Sequence, residues 1–206
     1  MIVHSGAGRR ARAADKREAI LAAALGLFSE RTFYGTPMPG VAERAGVGAG
    51  TIYRYFDGKE ALVNAVYQRW KGEMKRILVD AAPRDRRPRE EFGHWWRGLW
   101  RFATENPEAF AFLETHHHAP YLDAASQRLA EEMTTTASSF LERAQAAGDV
   151  RKAPPELLIA LVFGAFTGLA KAAGVRGLTQ DDERVAETEE CVWNMIRASS
   201  AVGASR

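Results

Sequence analysis

The 206-residue chain has one cysteine, Cys191. A lone thiol excludes an intramolecular disulfide and a cysteine-based zinc site, and it reads as a small apolar side chain. The first residues, Met1-Ile2-Val3-His4-Ser5-Gly6, lack the apolar core of a secretory signal. The longest uncharged apolar stretch, Leu157 to Ala170, is too short to span a bilayer. A cytoplasmic protein without membrane contact is therefore expected. No strand pattern and no internal repeat is found. Gly46, Gly48 and Gly50 follow a helical pattern rather than a strand, which excludes a phosphate-binding glycine loop. No Ser/His/Asp or paired-carboxylate spacing stands out, so neither catalysis nor a cofactor is expected. His116-His117-His118 invites a metal reading, but neighbours on a helix point about 100° apart and cannot share one ion. Polar contacts in a core or pocket are expected there, and no metal.

What is present is ordinary for a globular protein, with 46% hydrophobic and 26% charged residues. Charge is unevenly placed. Residues 1–70 carry 10 Lys or Arg against 6 Asp or Glu, and the remainder 18 against 20. The positive excess lies at the N-terminal end, where a nucleic-acid contact would want it.

Periodicity predicts an all-α chain of about nine helices. Residues 1–14, with Arg9, Arg10 and Arg12, read as a loose basic arm. Ile20, Ala24, Leu27 and Phe28 form one face of a first helix that starts at Asp15 and ends near Arg31. Thr36-Pro37 reads as an N-cap followed by proline at the first helical position. The short helix it opens buries Met38, Val41 and Ala42. A turn at Ala45-Gly46-Val47 leads to a second short helix, Ala49 to Phe56. Asp57 and Glu60 read as a capping box for a long helix carrying Leu62, Val66, Trp70, Met74, Ile77 and Leu78 on one face. The charged run Pro83 to Arg89 ends it. Five more helices follow: one through Phe92 to Ala103, one capped by Asn106 and stopped at Pro120, one closed by Gly148, one opened by Pro154-Pro155, and a last one through Val185 to Ile196.

Two short helices around a glycine turn are the form of a helix-turn-helix, whose second helix enters the major groove. Ile52 and Phe56, spaced i to i+4, form its packed back. Ala49, Gly50, Thr51, Tyr53, Arg54 and Tyr55 are then exposed. Hydroxyls reach phosphate oxygens, arginine takes phosphate or guanine, and small residues permit close approach. Lys59 adds a cation for a further phosphate.

Residues Arg17 to Trp70 resemble the DNA-binding region of the TetR family of bacterial repressors. The matching lines are Ile20 to Phe28, Thr36, Val41-Ala42-Glu43-Arg44-Ala45-Gly46-Val47, Thr51-Ile52-Tyr53-Arg54-Tyr55-Phe56 and Lys59-Glu60-Ala61-Leu62. The resemblance implies three DNA-binding helices, a fourth linking them to a ligand-binding and dimerisation domain, and a homodimer on a palindromic double-stranded DNA operator. It implies phosphate contacts at Thr36, Thr51, Tyr53, Tyr55 and Lys59, and base contacts at Ala49, Gly50 and Arg54. Gly48 departs from the Ser or similar cap usual in the family, and Gly48-Ala49-Gly50 offers few side chains for direct readout. The domain expectation is an arm at 1–14, a helix-turn-helix domain at 15–62 and an effector and dimerisation domain at 63–206. A small hydrophobic or aromatic effector is expected to meet Trp96, Leu99, Trp100, Phe110, Leu113, His117, Phe140, Phe163 and Phe166, with Trp95 in the same aromatic cluster. The helices at about 155–173 and 182–199 are expected to form the dimer seam.

Overall fold

A computed structural model describes residues 5–80, 87–116, 120–173 and 183–199, and of 5–11 and 173 the backbone alone. Helix α1 spans Ser5–Arg31. It buries Ile20, Ala24, Leu27 and Phe28, the stripe that the periodicity marked, and Leu21 beside them. It begins well before Asp15, so the expected loose arm is helical from Ser5 onward. Alanine and arginine dominate that stretch and proline is absent, which favours helix by local propensity alone. The helix closes at Thr32, whose φ of 62° is left-handed. Its N–H still reaches the Phe28 carbonyl at 3.1 Å.

Helix α2 covers Met38–Arg44, with Pro37 in the N-cap position. The turn behind it pairs Gly46 N–H with the Glu43 carbonyl and Val47 N–H with the Ala42 carbonyl. This is a Schellman closure, and it needs the left-handed backbone that Gly46 supplies at φ 65°. Helix α3 is only Ala49–Ile52, flanked by Gly48. Tyr53 to Tyr55 continue it as a turn. Helix α4 runs Lys59–Lys75 and passes into a π-helical turn, Arg76–Asp80. It starts later than expected: Gly58, not Asp57, flanks it, and the Gly58 carbonyl accepts from Leu62 N–H. Of the charged run expected to end it, residues 83–86 lie outside the described residues, and Pro88 and Arg89 belong to the next helix instead of a linker.

Helices α5 (Pro88–Glu105), α6 (Pro107–His116), α7 (Ala124–Ala146), α8 (Pro155–Ala173) and α9 (Glu183–Ile196) complete the chain. Asn106 closes α5, its backbone and side-chain amides both donating to the Phe102 carbonyl. It was expected to cap α6. Among the described residues the β pairing is one isolated antiparallel bridge, Val150 to Arg197.

The chain divides into two compact units. One comprises Met1–Gly72 and Glu108–Leu129, the other Glu73–Pro107 and Ala130–Arg206. The first thus takes in α4 through Gly72 and a segment around α6 that is distant in sequence. A buried polar knot explains the recruitment. Asn64 of α4 donates to the Glu60 carbonyl and, at 2.8 Å, to the Tyr121 carbonyl. Its oxygen accepts from Asp123 N–H and from the Ser126 hydroxyl. Asp123 in turn accepts from Ser126 N–H at 2.8 Å and caps α7. Every hydrogen-bonding capacity of the buried amide is used, which is the condition for burying one at little cost.

The second unit has an aromatic centre. Trp96 and Trp100 of α5 meet the Phe166 ring of α8 edge-on, with centroids 5.5 and 5.1 Å away. The Trp96 indole N–H donates to the Val185 carbonyl of α9 at 3.2 Å. Gly98 lets α5 come down on the π turn, since a Cβ there would stand 2.7 Å from Leu78 Cδ2.

Candidate nucleic-acid interface

The first unit builds its outer surface from α2, α3 and the start of α4. Ile52 and Phe56 are buried, as the helix-turn-helix reading required. Their removal from water stabilises the motif by roughly 1.5–3 kcal/mol each. With that back fixed, Ala49, Gly50, Tyr53 and Arg54 are exposed, and Thr51 and Tyr55 partly so. Tyr53 is 59% exposed, far beyond a packing aromatic. The Arg54 guanidinium lies over the Tyr55 ring, 5.5 Å from its centroid. Seven of the eight residues expected to meet DNA therefore stand at least partly open on one unit.

Thr36 is the exception. It is 0% exposed, and its hydroxyl donates inward to the carbonyls of Leu27 at 3.1 Å and Thr32 at 2.8 Å. It satisfies the end of α1 instead of capping α2 or reaching a phosphate. The error has a physical origin: a hydroxyl before proline is an N-cap locally, but the carbonyls freed at the C-terminus of α1 lie closer.

Lys59 is more constrained than a surface lysine. Its ammonium sits 4.5 Å from the centroid of the Phe33 ring and donates to the Tyr34 carbonyl at 3.5 Å. Partial burial holds its pKa below the usual lysine value. Tyr34, beside it, is 80% exposed, the most open large apolar side chain described. Sequence reasoning passed over Tyr34 and Phe33, and no spacing signal would have raised them.

The effector candidates are divided between the two units. Phe110 and Leu113 belong to the first unit, whereas Trp96, Leu99, Trp100, Phe140, Phe163 and Phe166 belong to the second. Phe163 is 37% exposed, alongside Leu157 and Leu161 on α8, and so does not line an interior. Trp96, Trp100, Phe140 and Phe166 are buried and filled by their neighbours. The Trp100 indole N–H has no acceptor among the described residues. His117 lies outside the described residues. His116 is core: it is buried, its ring stacks on Phe112 at 4.4 Å, and Nδ1 pairs with the Tyr121 hydroxyl. Burial pushes its pKa down, partly offset by the Phe28 carbonyl. A described cavity of about 430 Å³ lies elsewhere, lined by Arg89, Glu90, Gly93, Arg97 and Glu189. Its charges are internally matched, Glu189 bonding Arg89 at 2.6 Å and Arg97 at 2.7 Å. No expected effector residue lines it.

Helix α8 corrects a further expectation. Pro155–Ala172 is long and apolar enough to cross a membrane by length and composition, because the helix extends beyond the uncharged stretch. Only 17% of it is buried within the chain. Leu157 and Leu161 are 50% and 44% exposed, and Gly164 and Gly168 continue their stripe at helical spacing.

Comparison with known proteins follows the same outline. Residues 20–66 match the model for bacterial regulatory proteins of the tetR family, and residues 63–198 the tetracyclin repressor-like C-terminal domain. The HTH-type transcriptional regulator RutR of Escherichia coli (strain K12) is 42% identical over 81 residues, covering 37% of this chain and 38% of that protein. The chain thus spans well under half the length of that relative. An uncharacterized HTH-type regulator of Haemophilus influenzae is 23% identical over 89% of this chain and 96% of its own. The crystal structure of a TetR family regulator from Marinobacter aquaeolei VT8 superposes with a TM-score of 0.80 at 23% identity, covering 92% of this chain and 100% of its own. The matched models, which between them span residues 20–198, show that the chain belongs to the TetR family of transcriptional regulators, which are not enzymes.

Proposed function

We propose that this chain is a sequence-specific repressor that binds a palindromic operator as a homodimer and is released by a small hydrophobic or aromatic effector. The observation that carries the reading is the outward face of α3 and the turn that continues it: Tyr53 and Arg54 stand in solvent while Ile52 and Phe56 hold the segment from behind. Arg54 is the side chain able to read a base edge, bidentate to guanine. Thr51, Tyr53, Tyr55 and Lys59 serve the phosphates, and Ala49 and Gly50 permit close approach. With so little direct readout, DNA shape carries part of the specificity.

The exposed apolar stripe of α8 supports a seam with a second copy, completed by α9. A helix face this apolar needs a partner, and a two-fold copy presents the same face. A cytoplasmic location follows from the DNA-binding role. The effector enters by parting the packed rings of Trp96, Trp100 and Phe166, where the buried Trp100 N–H, without an acceptor among the described residues, offers one directional contact to an otherwise apolar guest. It must bind the released state more tightly, since equal affinity for both states shifts nothing.

Gel shifts on duplexes that the protein selects from a random-sequence pool, run across a salt series, test the reading. Arg54→Ala is expected to relax base preference. Lys59→Ala is expected to weaken binding evenly and flatten the salt dependence by about one unit. Failure of the wild-type protein to enrich any sequence refutes the proposal.

A further inference from the structure

We propose that Tyr121 is a positioning residue for DNA binding, acting through Phe33 on the Lys59 ammonium. This rests on the DNA-binding reading above and adds a residue that the helix-turn-helix does not contain. The Phe33 ring meets Phe28 and Tyr34, with centroids 6.2 and 5.2 Å away, and has two closer partners. Tyr121 stacks on it with centroids 4.0 Å apart and planes 20° from parallel, and the Lys59 ammonium lies 4.5 Å from its centroid. Tyr121 is itself held at both ends. Its hydroxyl pairs with His116 Nδ1 at the end of α6, and its carbonyl accepts from Asn64 of α4 at 2.8 Å.

A phenol tethered in this way braces one face of the Phe33 ring, which Phe28 and Tyr34 also touch. The braced ring gives the ammonium an electron-rich seat, and the Tyr34 carbonyl at 3.5 Å takes one of its three donors. The remaining donors stay available to a phosphate. A free lysine gives up much rotamer freedom when it engages a phosphate, and one already seated gives up less. The seat therefore raises affinity without adding a contact. Partial burial of Lys59, visible in its lowered pKa, fits a cation already drawn out of bulk water. All of these residues belong to one compact unit.

The test is a double-mutant cycle on the full chain, with fluorescence anisotropy on a duplex selected by the wild type. Tyr121→Leu is expected to weaken binding roughly two- to fivefold per subunit, the range of a partly exposed cation–π contact. Its salt slope should stay, because the lysine remains. Tyr121→Phe keeps the stacking ring and the bond from Asn64 but loses the hydroxyl tether, and should restore part of the lost affinity. In the Lys59→Ala background, Tyr121→Leu should cost nothing further. If Tyr121→Leu does not fold by circular dichroism, Phe33→Leu removes the seat from the other side and enters the same cycle. Additive losses in the cycle, or no rescue by Tyr121→Phe, overturn the proposal while leaving DNA binding intact. A wild-type protein that selects no duplex overturns the DNA-binding reading, and this inference falls with it.

Discussion

Replacing Thr32 by glycine should stabilise the protein, although it removes a side chain. Thr32 stands at φ 62°, immediately after α1. An L-residue in that region brings Cβ against the following carbonyl at about 1–2 kcal/mol, and a β-branched side chain tolerates it worst. Glycine escapes that strain but adds unfolded-state freedom worth roughly 0.5–1 kcal/mol. The Thr32 side chain is exposed, and the bond it anchors, from the Thr36 hydroxyl at 2.8 Å, uses its backbone carbonyl. That bond survives the substitution. The balance is a gain of about 0–1.5 kcal/mol, or roughly 0–6 °C in melting temperature for a chain of this size. Thermal unfolding followed by circular dichroism at fixed protein concentration measures it. Thr32→Ala, which keeps a Cβ but loses the branch, should fall between glycine and the wild type. A glycine variant that melts lower than wild type would refute the strain argument, because glycine at an ordinary φ is destabilising.

Gly98→Ala should destabilise by about 1–3 kcal/mol, since the new Cβ would stand 2.7 Å from Leu78 Cδ2; urea unfolding reads the loss, and a neutral result means that Leu78 yields freely. His116 is buried with its pKa lowered, so the unfolded chain binds the proton more readily. Stability is then complete above about pH 6.5 and falls as pH drops through that value. The slope is at most about 1.4 kcal/mol per pH unit for one proton. His116→Gln should remove that slope between pH 6.5 and 5, and equal slopes in the two proteins would show that His116 is not its source. Leu161→Arg places a charge on the exposed stripe of α8 and should shift the protein from dimer to monomer by sedimentation velocity without lowering its helicity; an unchanged sedimentation coefficient refutes the proposed seam.

Helices were legible because their signals are local. The Ile20, Ala24, Leu27 and Phe28 stripe, Gly46 after α2 and Pro154-Pro155 at the start of α8 act through residues a turn away, so reading neighbours suffices. The outward placement of Tyr53 and Arg54 was legible for a related reason: with Ile52 and Phe56 buried, the residues between them have no side but the outer one. The basic arm was misread because charge suggested a tail where alanine content and missing proline favour helix.

Where a residue's partner lies far along the chain, its role was decided by packing alone. Thr36 turned inward because α1 ends within reach of its hydroxyl, and Lys59 found the Phe33 ring, itself stacked by Tyr121 from beyond α6. Phe163 and Phe166 share one helix and one side-chain chemistry, yet one faces outward and the other fills a core beside Trp96 and Trp100. Sequence by itself determined which segments coil and which short helix presents polar groups, since hydrogen-bond period and apolar spacing are properties of neighbours. Tertiary structure alone decided which hydroxyl, which ammonium and which aromatic ring remain free to act, because that depends on surfaces brought together from distant parts of the chain.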